Sequence, residues 1–136
     1  YRQPKIVGDV RNGIPRDDEF YEEVRMHSLL EHFGKRDKDQ VLKECYRVLK
    51  TGGKLWISVP DLILIAKELI EMYNSEVKVY ELINLLYGEQ DYKENTHLWG
   101  YTEKSLSKYL MTAGFVKVTR LPAERYKYEL VVEAIK

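Results

Sequence analysis

The sequence holds a single cysteine, Cys45, so no disulfide can form within the chain, and a reducing, cytoplasmic setting is expected. It has no excess of either charge. Lys plus Arg and Asp plus Glu both number 22, which leaves no basic field to draw nucleic acid. No apolar run approaches the roughly 18 residues of a membrane span, so no membrane partner is expected. The start shows no secretory pattern. Tyr1 stands first in place of Met, and a piece of a longer chain is expected. The three histidines and one cysteine are scattered, without the close ligand pairs of zinc sites, so no metal is expected. The eleven tyrosines, without a basic surface, are expected in the core and at its rim rather than stacked on bases.

What is present suits one domain over residues 1–136. Apolar content of 44% and charged content of 32% are ordinary for a folded domain of 136 residues. The punctuation is regular. Lys5 to Val10 (KIVGDV) is a β-rich run ending near Asp9. Arg11 to Tyr21 is a loop marked by Asn12-Gly13 and Pro15, flexible in composition. Glu22 to His27 alternates as a strand. Asp37 to Lys50 carries an apolar stripe at helical spacing that includes Cys45, with Asp37 and Gln40 as a capping box and Thr51-Gly52-Gly53 as its stop. Leu55 to Val59 is a strand. Helices follow over about Leu62–Tyr73 and Glu76–Tyr87, with Asp61 as cap of the first and Gly88 as stop of the second. Glu89 to Tyr101 is a long polar and aromatic loop, and loops of that length are often functional. Thr102 caps a helix to about Ala113, and Gly114 stops it. Phe115–Thr119 and Tyr126–Ile135 are strands with a short connection, hence an antiparallel C-terminal pair. Strands alternating with helices predict an α/β fold with a mainly parallel sheet. Ligands in such sheets sit beyond the strands' carboxyl ends, which singles out Asp9, His27, Ser28 and Asp61.

The segments "EEVRMHSLLEHF" and "RVLKTGGKLWISVPD" carry a resemblance. Leu30-Glu31-His32 followed by Arg47 to Asp61 resembles class I S-adenosylmethionine-dependent methyltransferases, in the group with LEH and RVLKPGGxLxISVPD. The tail through His97 and Ala113-Gly114-Phe115 resembles the same group. The resemblance implies a Rossmann-like sheet of order 3-2-1-4-5-7-6. The chain would be truncated at its N-terminus, with the first two strands missing, since the glycine-rich loop and the ribose-binding acid are absent. Lys5–Val10 would be the third strand, and Asp9 and Val10 would hold the adenine of S-adenosylmethionine. His27 and Ser28 would end the fourth strand beside the methionine part. Asp61 would face the substrate side, and His97 would act there as general base on a small-molecule or sugar methyl acceptor.

Plainer readings stand beside these. Asp9 can be a turn residue, Asp61 a helix cap, and Gly52-Gly53 a helix stop. His27 can be a hydrogen-bonded residue at the core edge, and Glu31 with His32 a solvated loop or local ion pair. Trp99 and Tyr101 can simply pin their loop. The missing glycine loop also leaves open a degenerate module that binds a partner without catalysis. A sheet lacking its centre implies one of three repairs: strands supplied from outside the sequence, direct pairing of the third strand with the fourth, or a homodimer through the exposed edge.

Overall fold

The computed structural model describes residues 6–136. Its four strands are β1 (Tyr21–His27), β2 (Leu49–Pro60), β3 (Lys117–Leu121) and β4 (Glu129–Ile135), in spatial order β1-β2-β4-β3. β1 and β2 run parallel, and β4 is antiparallel to both β2 and β3. The four helices are α1 (Asp37–Val48), α2 (Leu62–Glu71), α3 (Glu76–Tyr87) and α4 (Glu103–Ala113). This order reproduces the 4-5-7-6 half of the sheet implied by the resemblance.

α1 and α4 build the core on one sheet face. Val41, Leu42 and Cys45 of α1 and Leu106 and Leu110 of α4 pack with Met26, Leu55, Ile57, Val59, Leu130 and Val132. Alternation in β1 sends Met26 inward and Arg25 and His27 to the opposite face. There the Arg25 guanidinium lies 5.6 Å above the Trp56 ring and the His27 ring is 4.3 Å from it. A smaller cluster of Ile65, Leu82 and Tyr128 joins α2 and α3 to the chain entering β4.

The capped helices form because their ends are satisfied. Thr102 and Ser105 make a reciprocal capping box, and Gly114 closes α4 at φ 117°. Ser75 caps α3, and Gly88 ends it. α1 differs from expectation. Arg36 is its N-cap without a side-chain bond, Asp37 lies inside the first turn, and the helix stops at Val48. It ends because Leu49 already pairs with Tyr21 in the sheet. The register then slips: Tyr21 faces Leu49 but Glu23 faces Lys54. Gly52-Gly53 is therefore not a helix stop but a bulge in β2. Gly52 has φ 78°, and a Cβ on Gly53 would meet the Lys50 carbonyl oxygen at 2.7 Å.

The expected strand at Lys5–Val10 is also corrected. Lys5 lies outside the described residues. Residues 6–9 are irregular, and Val10–Asn12 is one turn of 3₁₀ helix. A β-rich run becomes a strand only with a ladder partner, and the segment turns away at Asp9 instead of pairing with β1. Direct repair of the sheet by this segment is absent among the described residues. Residues 14–18 are held down, contrary to their flexible composition. Arg47 donates to the carbonyls of Ile14 and Arg16 and to Asp18, while Glu44 accepts from the Ile14 amide.

Candidate active-site cleft

A cleft of about 820 Å³ opens at the carboxyl end of β1. It is lined by Asp9, Val10 and Arg11, by Ser28, Leu29, His32 and Phe33, and by Tyr92, Lys93, Glu94, Thr96 and Leu98 of the long loop. Three of the six residues singled out in the sequence, Asp9, Val10 and Ser28, are thus brought together.

Asp9 accepts from the Arg11 amide and pairs with its guanidinium, which holds the Asp9 carboxyl below its ordinary pKa. Val10 packs against the core. Ser28 follows the last residue of β1 at φ 43°, a left-handed conformation uncommon for a side-chain-bearing residue. Its amide donates to the Ser58 carbonyl at 3.0 Å, which ties the ends of β1 and β2 together. His27 points to the other sheet face, against Trp56.

Asp61 caps α2. Its Oδ1 accepts from the amides of Ile63 and Leu64, and its Oδ2 takes the Arg120 guanidinium at 2.7 Å. The residue is 2% exposed and does not line the cleft. His97 is half-buried and reaches the cleft only through His32, whose ring lies 4.8 Å away in a T-shaped arrangement. His97 Nδ1 lies 2.9 Å from the Leu85 carbonyl oxygen, and burial, with His32 adding to it, lowers its pKa below the ordinary imidazole value. Tyr101 pins the loop: it is fully buried and its hydroxyl donates to the Leu30 carbonyl at 3.2 Å.

One residue escaped the sequence reading, and another was read differently. Arg125 donates through Nη2 to both Ser28 Oγ and Ser58 Oγ at 2.8 Å, and through Nε to Glu129 at 2.9 Å. Burial alone would raise the Glu129 pKa. The amides of Arg125 and Glu124, with the Arg125 and Ser58 side chains, outweigh it and hold the carboxyl below its usual range. The one local signal was an Arg–Glu pair four residues apart. Glu31, read as a solvated or paired loop residue, is instead 1% exposed, and its Oε2 accepts no hydrogen bond among the described residues. Burial pushes its pKa up to about 7.

Comparison with known proteins bears on the fold. A family model described as a methyltransferase domain matches residues 1–57. A SAM-dependent methyltransferase from Thermotoga maritima superimposes at TM-score 0.58 and 20% identity, over 93% of this chain and 61% of that one. A SAM-dependent methyltransferase from Archaeoglobus fulgidus gives 0.58 at 14% identity, over 88% and 61%. Human N-acetylserotonin methyltransferase, in complex with SAM, gives 0.63 at 16% identity, over 95% and 32%. The chain thus spans from about a third to about three fifths of these relatives. Among curated proteins, none matches it in sequence. The four strands, their order and the domain match together give this chain a SAM-dependent methyltransferase-like α/β fold.

Proposed function

We propose that the protein transfers a methyl group from S-adenosylmethionine to a small-molecule or sugar acceptor. The observation that supports this is the cleft itself, which gathers Asp9, Val10 and Ser28 beyond the carboxyl end of β1, the position where open α/β sheets take their ligands. The cleft fits such a group: its volume lies within the usual range of about 300–1,000 Å³ for ligand sites, with apolar Val10, Leu29 and Phe33 beside polar Asp9, Ser28 and His32. When bound, S-adenosylmethionine supplies a methyl group made electrophilic by its sulfonium.

The chain's own residues then position and deprotonate. Asp9 and Val10 hold the adenine side. Ser28, fixed by Arg125, holds the methionine side, and His27 braces the end of β1 against Trp56. An imidazole lone pair at the His97–His32 pair accepts the acceptor's proton, and the lowered pKa keeps His97 neutral and able to do so. Asp61 acts as a positioning residue through α2 and Arg120. Transfer is an in-line displacement, so orientation supplies most of the rate. The open outer edge of β1 supports pairing with a second copy. Sedimentation would read a dimer mass, and a strictly monomeric mass at high concentration would remove that part.

Calorimetric titration with S-adenosylhomocysteine tests the reading. Saturable micromolar binding is expected. Silence at millimolar ligand would favour the non-catalytic module.

A further inference from the structure

The fold gathers three side chains that the sequence scatters. One ligand atom each from Glu31, His32 and His97 lies within 4.8 Å of the others. Glu31 precedes His32 in the turn after β1, and His97 comes from the long loop 65 residues later. The linear search for close ligand pairs could not see this convergence.

Two features point to a ligand here, and a third holds the elements of the site together. First, Glu31 Oε2 is buried and accepts no hydrogen bond among the described residues. A buried carboxylate oxygen without a partner is costly, and native folds rarely leave one without a reason. Second, both imidazoles are held from behind by backbone carbonyls. His32 Nδ1 lies 3.2 Å from the Thr96 oxygen and His97 Nδ1 lies 2.9 Å from the Leu85 oxygen. A carbonyl can only accept, so each Nδ1 carries the proton and each Nε2 keeps its lone pair. That is the arrangement by which metal-binding histidines are oriented. Third, the Glu31 carbonyl accepts the amides of Leu98 and Trp99 at 2.8 and 3.2 Å, which fixes the loop against the turn that carries the other two ligands.

We propose that Glu31, His32 and His97 bind a divalent transition-metal ion of the zinc class, with an open coordination position toward the cleft that His32 lines. Two imidazoles and one carboxylate are a three-ligand set that keeps a fourth position for water or substrate. Ligands at about 2.0–2.1 Å in tetrahedral geometry stand about 3.3 Å apart, so the three side chains draw together on binding. The ion fastens the long loop that lines the cleft to the end of β1. When bound, it would occupy the imidazole lone pairs that in the metal-free chain serve as base, and would itself acidify an acceptor hydroxyl or a water. The site does not depend on the methyl-transfer reading, since metal binding is measurable without cofactor.

The test is titration of the chelator-stripped chain with Co²⁺ and Zn²⁺, the latter in competition with a chromophoric chelator. One equivalent should bind, and Co²⁺ should give the strong visible bands of a four-coordinate site. His32→Ala and His97→Ala should each weaken binding by about 100-fold or more, beyond the effect of losing an outer partner. His27→Ala, at the exposed third histidine, should leave it unchanged. Circular dichroism checks folding. His97→Gln serves if the alanine variant misfolds, and the wild-type stoichiometry stands without any variant. No binding at millimolar ion, or equal binding by the wild type and both histidine variants, would overturn the proposal.

Discussion

Arg125→Ala is the most informative single change, because Arg125 joins the stability of the sheet to the shape of the cleft. Its guanidinium makes charge-assisted bonds to Glu129, Ser28 and Ser58 at 2.8–2.9 Å. Such bonds contribute about 1.5–3 kcal/mol each when fully sequestered. The Arg125 side chain is 43% exposed, however, while that of Glu129 is 0% exposed. Water replaces part of what the arginine loses, and two backbone amides remain on Glu129. Removing one partner of a fully buried pair costs about 3–5 kcal/mol, so the half-open geometry brings the expected loss to about 2–3 kcal/mol at pH 7. The sign of the pH dependence follows from Glu129. Its carboxyl is held below the ordinary value in the folded state, so its stabilisation is present above about pH 4.5 and is lost as pH falls through the folded value. Urea unfolding of Arg125→Ala, Glu129→Gln and the double variant at pH 7 and pH 3 reads both effects. The pair should show coupling at pH 7 that shrinks at pH 3. Additive single losses below about 0.5 kcal/mol at pH 7 would refute the reasoning.

Other consequences are simpler. Gly114→Ala should destabilise by about 1–3 kcal/mol in the same assay, because φ is 117° and the new Cβ would meet the Tyr46 ring at 2.9 Å. Cys45 is 1% exposed and burial pushes its thiol up to about 12, so a thiol reagent should react only at the rate of unfolding. Arg47→Ala should free residues 14–18, seen as faster amide exchange at Ile14 with little change in α4.

Local chemistry made much of the fold legible. α3 runs from Glu76 to Tyr87 as read, and α4 from Glu103 to Ala113, because Gly88, Thr102 and Gly114 announce their ends through near neighbours. The C-terminal hairpin followed from its short connection. Errors arose where a distant partner decides. KIVGDV has strand composition, but its described part, residues 6–10, has no ladder, and the glycine pair reads as a cap until Tyr21 claims Leu49 for the sheet. The site divides in the same way. Ser28 was visible as a strand-end residue. Arg125, 97 positions away in sequence, was not, nor was the meeting of His32 with His97.

The central claim is that the cleft between Asp9, Ser28 and the Tyr92–Leu98 loop receives the cofactor. Nitrogen-15 amide shifts recorded while S-adenosylhomocysteine is added test it most directly. The account predicts saturable shifts at Asp9, Val10, Ser28, Leu29 and Phe33, with the amides of β3 and α3 unmoved. Saturable shifts confined to other surfaces, or none at millimolar ligand, would contradict it.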